Sequence, residues 1–437
     1  MKSLLKQVER IGPFVRNVAT LAGGTAVAQL VGLAATPVLS RLYTPAEFGI
    51  LAAFLSIAGV IVAISSLVYE FAIPLPYRND DARKLLATTL AMNAATALLC
   101  ACLAFSPLGP YLASQAGMEA LLPYLWLLPL TVLFAGTYKI SGFWAVRHKH
   151  FMRIATTKVV QILSMIAIQL AGGWIMGTAL WLIVGYIANQ SMGSLSLLGG
   201  RAGLKSILNT RIWTGRTRAL LRKHSWFPKY DGPATLIDVF SATLPALLFL
   251  PLFGPAVAGS YFLAERVVAT PLAYLSLSIG QVLYGDVRQL STEGRLVPTL
   301  RKITMIQAAI TALPALVVVV AGSSLFTFVF GENWREAGLY AMWLTPAFYV
   351  NSLYPAIAPV LSATRGQRKR LIIHTAKLVL GALAIAFGYV TGEAIWAIIA
   401  LSLSYTLVYG TTVAWIYVHA ARHDRGIRIS SSSINAT

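Results

Sequence analysis

Apolar runs of about 20 residues recur from one end of this chain to the other, and about twelve of them can be delimited. At ~1.5 Å rise per residue, each is long enough to cross a hydrocarbon core of ~30 Å. In hydrocarbon every backbone N–H and C=O must be bonded within the protein, so these runs are predicted to be helices. They cover residues 18–39, 48–73, 85–105, 121–144, 154–171 and 178–198, then 234–252, 257–283, 303–328, 339–361, 371–390 and 394–418. With 57% hydrophobic and 11% charged residues, the chain is too apolar for an ordinary soluble domain. The expected fold is an all-α polytopic membrane protein with about twelve transmembrane helices. These form two six-helix lobes related by pseudo-two-fold symmetry along the membrane normal.

A net charge of +20 would suit nucleic acid if it formed one face, but the basic residues alternate with the spans. Thirty of the 35 lie on one side of the predicted topology, and Arg41 and Arg335 lie on the other. The remaining three, Lys139, Arg266 and Lys377, fall within spans. This bias places both termini in the cytosol and leaves no role for nucleic acid. The first apolar run lacks a polar cleavage region and reads as a retained anchor, not a signal peptide. Cys100 and Cys102, the only cysteines, point to different sides of one helix. That spacing suits neither a disulfide nor a metal site, and no cofactor is expected.

Pro45-Ala46-x-x-Gly49, with Pro37 upstream, is echoed by Pro255-Ala256-x-x-Gly259, with Pro245 upstream. The echo marks the halves as repeats of one design. The expected division is an N-terminal lobe at 1–198, a basic cytosolic linker at 199–231, a C-terminal lobe at 232–420 and a disordered cytosolic tail at 421–437. The linker interleaves eight basic residues with apolar ones such as Ile207, Trp213 and Phe227. Such spacing suits an amphipathic helix lying on anionic membrane lipids. Pro37, Pro129, Pro245, Pro271, Pro314, Pro346 and Pro355 fall in mid-span, where proline bends helices that line a cavity or hinge; spans also tolerate proline without function.

A further set of residues carries a family likeness. It comprises Gln29, Pro37, the run Arg41-Leu-Tyr-Thr-Pro-Ala-Glu-Phe-Gly49 and the run Tyr69-Glu70-Phe-Ala-Ile-Pro74. Phe227-Pro228, Phe253-Gly254-Pro255, Ala258-Gly259, Arg266 with Pro271, and Phe330-Gly331-Glu-Asn-Trp334 before Ala337-Gly338 continue it in order. In these the chain resembles the oligosaccharide flippases of polysaccharide biosynthesis, within the multidrug/oligosaccharidyl-lipid/polysaccharide exporter superfamily. The resemblance implies a two-lobed bundle that works by alternating access in the bacterial inner membrane. It would carry a polyprenyl-pyrophosphate-linked oligosaccharide from inner to outer leaflet for O-antigen, capsule or exopolysaccharide assembly. It also implies work beside a polysaccharide polymerase and a chain-length regulator. Where relatives often carry Gln beside the arginine, this chain has Glu265.

Such a substrate needs cations for pyrophosphate, amides or hydroxyls for sugar, and an apolar slot for its tail. Charges within spans are costly and usually face an interior of this kind. Arg266, about nine residues into its span, is the first candidate, because a guanidinium meets phosphate with paired donors. A buried pair with Glu70 or Asp238 is the alternative. Lys139 and Lys377 lie near inner span ends, where the ammonium either snorkels to water or turns inward to receive the headgroup. Glu70, Asp238 and Glu265 are candidates for ion coupling or inter-lobe pairs. Arg41, in the outer hairpin, would pair with Glu47, close an outer gate or be solvated. Gln29 would contact sugar or bond another helix.

An ion-coupled drug or small-molecule antiporter of the same superfamily would share this architecture. A membrane-embedded enzyme such as a glycan polymerase needs placed acids, bases or metal ligands. The sequence has no paired-carboxylate motif, no His or Cys cluster and no phosphate-binding loop, so catalysis is not expected.

Overall fold

The apolar runs fold as helices. The computed structural model describes residues 23–363 and 367–434, and no strand occurs among them. In chain order the first unit holds α1 (Gly23–Leu42), α2 (Pro45–Ile64), α3 (Asn79–Phe105), α4 (Leu128–Arg147), α5 (Phe151–Ile175) and α6 (Ala179–Ser191). Two short helices, α7 (Gly200–Leu208) and α8 (Gly215–Lys223), precede α9 (Gly232–Phe253). There follow α10 (Pro255–Ala264), α11 (Thr270–Thr292), α12 (Leu296–Phe330), α13 (Arg335–Ile357), α14 (Gln367–Thr391) and α15 (Ala394–Ile434).

Among the described residues, nine helices are long and apolar enough to cross a membrane. The other three expected spans have particular reasons to fall short. Helix α6 has 13 residues, α10 and α11 are joined by a five-residue π turn at Glu265–Ala269, and α13 begins with Arg335 and Glu336 and carries Asn351. Helices therefore stand at all twelve expected places, and the chain is an all-α polytopic membrane protein. Both repeated prolines, Pro45 and Pro255, occupy the first turn of their helices, where the missing N–H costs nothing. Pro129 also opens a helix, α4, instead of bending one, because a 3-10 stretch at Glu119–Leu127 precedes it.

The chain divides into one unit ending at Thr243 and another beginning at Leu244, so the boundary falls inside α9 and not in the 199–231 linker. The linker's own contacts explain this. Arg216 on α8 grips the Asp81 carboxylate with two hydrogen bonds of 2.5 and 2.8 Å. Ile207 and Phe227 join Ile73, Leu85 and Leu86 in one buried cluster, and the Tyr69 hydroxyl donates to the Leu221 carbonyl at 3.2 Å. In place of one amphipathic helix the linker forms two, with Trp213 and Tyr230 left exposed.

In the second unit, α12 and α13 pack so closely that a Cβ on Gly338 would lie 2.6 Å from the Gly322 carbonyl oxygen. Buried Gln307 on α12 donates to Ser276 Oγ on α11 and to the Ser352 carbonyl on α13, both at 2.6 Å. Helix α15 runs on beyond residue 421 as far as Ile434. Buried Asp424 accepts the Leu296 and Val297 N–H groups at 3.2 and 3.0 Å, placing its carboxylate at the positive end of α12. Residues 435–437, and positions 18–22 of the first expected span, lie outside the described residues.

Candidate functional site

In the first unit, α2 starts at Pro45, and the Thr44 hydroxyl just before it donates to the Glu47 carboxylate. The helix is expected to run to Pro74, yet it ends at Ile64. Ser65 and Ser66 offer the backbone a competing set of hydrogen bonds. The Ser65 hydroxyl donates to the Val62 carbonyl at 3.1 Å, and the Ser66 hydroxyl donates to the Glu70 carboxylate. Leu67 and Val68 then take left-handed φ values of 50° and 62°, a costly conformation for such side chains, before a 3-10 turn at Tyr69–Ala72.

Neighbouring helices supply what the broken one lacks. Lys139 on α4 donates to the Val62 and Ala63 carbonyls at 3.2 and 3.1 Å, and Thr96 on α3 donates to the Ser65 carbonyl at 3.0 Å. Arg147, at the end of α4, donates to the Pro74 and Pro76 carbonyls at 3.1 and 2.7 Å and to the Asn79 amide oxygen at 3.0 Å. The Lys139 ammonium also lies 2.5 Å from the carboxylate of Glu70, which is fully buried. Glu70 therefore pairs within the first unit and not between lobes, because the break turns it toward α4. Three protein oxygens thus surround the Lys139 ammonium. Its height is fixed by buried Asn93 on α3, which donates to the Leu133 carbonyl at 3.0 Å and closes on Gly136.

In the second unit, Pro271 removes an N–H and presses its ring toward the preceding turn. The backbone widens there into the π turn Glu265–Ala269, closed by the Thr270 N–H on the Glu265 carbonyl. Arg266 sits on this turn, half-buried, and among the described residues it makes no hydrogen bond and no ion pair. Glu265, beside it on the turn, is also half-buried. The Lys377 ammonium rests over the rings of Tyr405 and Tyr409 on α15, 5.1 and 5.8 Å from their centroids. An apolar cavity of about 350 Å³ opens beside the same π turn, between Val267, Val268 and Pro271 on one side and Pro314, Phe326 and Phe330 of α12 on the other.

Of the candidate charges, Glu70 and Lys139 are thus brought together as an ion pair. Asp238 and Gln29 lie half-buried on α9 and α1, and Arg41 is exposed at the end of α1. Sequence reasoning passes over Ser66, Tyr405 and Tyr409. The tyrosines had a signal, since i and i+4 share a helix face; Ser66 had only its serine neighbour.

The sequence profile of the family described as polysaccharide biosynthesis protein matches residues 38–338. In fold the chain is similar to the lipid II flippase MurJ in an inward closed conformation, with a TM-score of 0.72 and 11% identity, covering 94% of this chain and 92% of that one. It is also similar to an inward-facing multidrug resistance MATE family transporter of the MOP superfamily, at TM-score 0.61 and 14% identity over 91% and 96%. The MATE multidrug transporter DinF-BH aligns at TM-score 0.57 and 15% identity over 92% and 94%. At such identities the likeness shows the fold alone. No curated protein is detectably similar in sequence. The profile covers most of the chain, including the break in α2 and the π turn that holds Arg266, and on that ground the chain belongs to the polysaccharide biosynthesis protein family.

Proposed function

We propose that this protein is a flippase that carries a polyprenyl-pyrophosphate-linked oligosaccharide from the inner to the outer leaflet of a bacterial inner membrane by alternating access, with both termini cytosolic. The observation that carries this reading is Arg266, a half-buried guanidinium on a membrane helix with no protein partner among the described residues. A cation left without a partner in such a place is expensive unless an anion completes it, and paired N–H donors fit a phosphate. The apolar cavity beside the same π turn supports the reading, because a lipid-linked anion has a tail as well as a charge. Lys377, held over two tyrosine rings in the same unit, is a second cation for the headgroup.

Arg266→Ala tests this. In cells making a labelled lipid-linked glycan, the variant should insert normally and leave the complete repeat unit facing the cytosol. Normal export from that variant would sink the assignment. Drug resistance on expression, with no effect on glycan export, would replace the reading with a small-molecule antiporter.

A further inference from the structure

The end of α2 offers an unusual set of oxygens. The Val62 and Ala63 carbonyls belong to the last turn of a helix, where the backbone dipoles leave partial negative charge. The Glu70 carboxylate is folded back toward them by the left-handed pair Leu67 and Val68, and Ser66 donates to its second oxygen. Two carbonyls from an unwound helix and one carboxylate form the kind of all-oxygen set that holds sodium in membrane transporters. At the point where these three oxygens converge stands the Lys139 ammonium, at 3.2, 3.1 and 2.5 Å.

We propose that the break in α2 is a monovalent-cation site which the chain fills with its own Lys139 ammonium, so that the first unit holds its broken helix without a dissolved ion. The charge and the three acceptors match an alkali cation, and the lysine stem delivers them from α4 at no cost in ion concentration. Glu70 is fully buried, so an unoccupied site would leave its carboxylate uncompensated. The ammonium prevents this in the resting protein. This inference rests on the first unit's geometry alone and is independent of the cargo.

The test uses purified full-length protein, with thermal unfolding followed in sodium chloride against choline chloride at equal ionic strength. The wild type should unfold at the same temperature in both. Lys139→Ala should unfold earlier in choline and recover with sodium along a saturable curve, by about 5 °C at salt far above its dissociation constant. Adding Glu70→Gln to that variant should abolish the recovery. If Lys139→Ala does not accumulate, Lys139→Ser leaves similar room and carries the same test. A folded Lys139 variant indifferent to sodium, potassium and lithium alike would overturn the proposal, as would a saturable sodium response in the wild type.

Discussion

Gly136 offers the sharpest test of how the first unit sets its buried charge. A methyl group there would lie 1.9 Å from the Asn93 amide oxygen, whereas such atoms touch at about 3.5 Å, so roughly 1.6 Å must be found. Asn93 is fully buried and donates to Leu133 at 3.0 Å, so it has no free direction of retreat. Overpacking costs about 1–3 kcal/mol, and the loss of a buried amide hydrogen bond adds about 1–3. Gly136→Ala should therefore destabilise by about 2–6 kcal/mol, read as a fall of about 5–10 °C in the unfolding temperature of the detergent-solubilised protein. Because the cost is a collision between two side chains, it should vanish when one is removed. Asn93→Ala with Gly136→Ala should be no worse than Asn93→Ala alone, within about 0.5 kcal/mol. Lys139 follows Gly136 by one turn, so transport should fall in the single variant and recover in the double. Additive losses in the double variant, or a neutral Gly136→Ala, would refute the close approach of α3 and α4.

Three other outcomes follow from local geometry. Leu67 is half-exposed with a φ of 50°, so Leu67→Gly should relieve backbone strain at little cost in packing and raise the unfolding temperature by about 2–4 °C, while Leu67→Ile should lower it. Arg216→Ala should loosen α8 with little change in global unfolding, seen as faster amide exchange confined to 215–223, and added salt should mimic it in the wild type. Burial, and then the charge of Lys223, hold His224 below its ordinary value of 6.5. The unfolded chain therefore binds more protons than the folded one in the window just below 6.5, and stability present above 6.5 is lost as pH falls through it. Amide protection factors around 209–226, referred to the intrinsic exchange rate at each pH, should fall on acidification from pH 7.5 to about 5.5, and His224→Gln should remove that fall.

The helices were legible because length and apolarity suffice to place them. The break in α2 was not, because Pro74 and Pro76 looked like the natural stop and Ser65-Ser66 like ordinary small residues in a span. What holds the break open comes from Thr96 and Lys139, far along the chain, and no local pattern carries that information. The anchor of the last helix is hidden for a related reason. A basic, Ser-rich composition reads as disorder, but Asp424 is bound to the backbone of Leu296 and Val297, and that contact exists only after α12 and α15 have met. The linker's basic residues suit a lipid-facing set by composition, whereas one of them, Arg216, is committed to Asp81. Embedded charges could be found by scanning for them; whether each has a partner is a tertiary fact.

That fact separates the two cations most alike in sequence. Lys139 and Arg266 are both lone basic residues in apolar helices, yet the first is enclosed by three oxygens and the second, among the described residues, by none. The difference predicts how each tolerates a conservative change. Arg266→Lys keeps the charge but loses the planar pair of donors. If that pair grips a pyrophosphate, losing one charge-assisted hydrogen bond costs about 1.5–3 kcal/mol, and export measured at limiting substrate should fall about 10- to 100-fold with unfolding temperature unchanged. Arg266→Ala should remove the remainder. A guanidinium kept only for packing would behave otherwise: both substitutions would lower the unfolding temperature, and Arg266→Lys would export as well as the wild type.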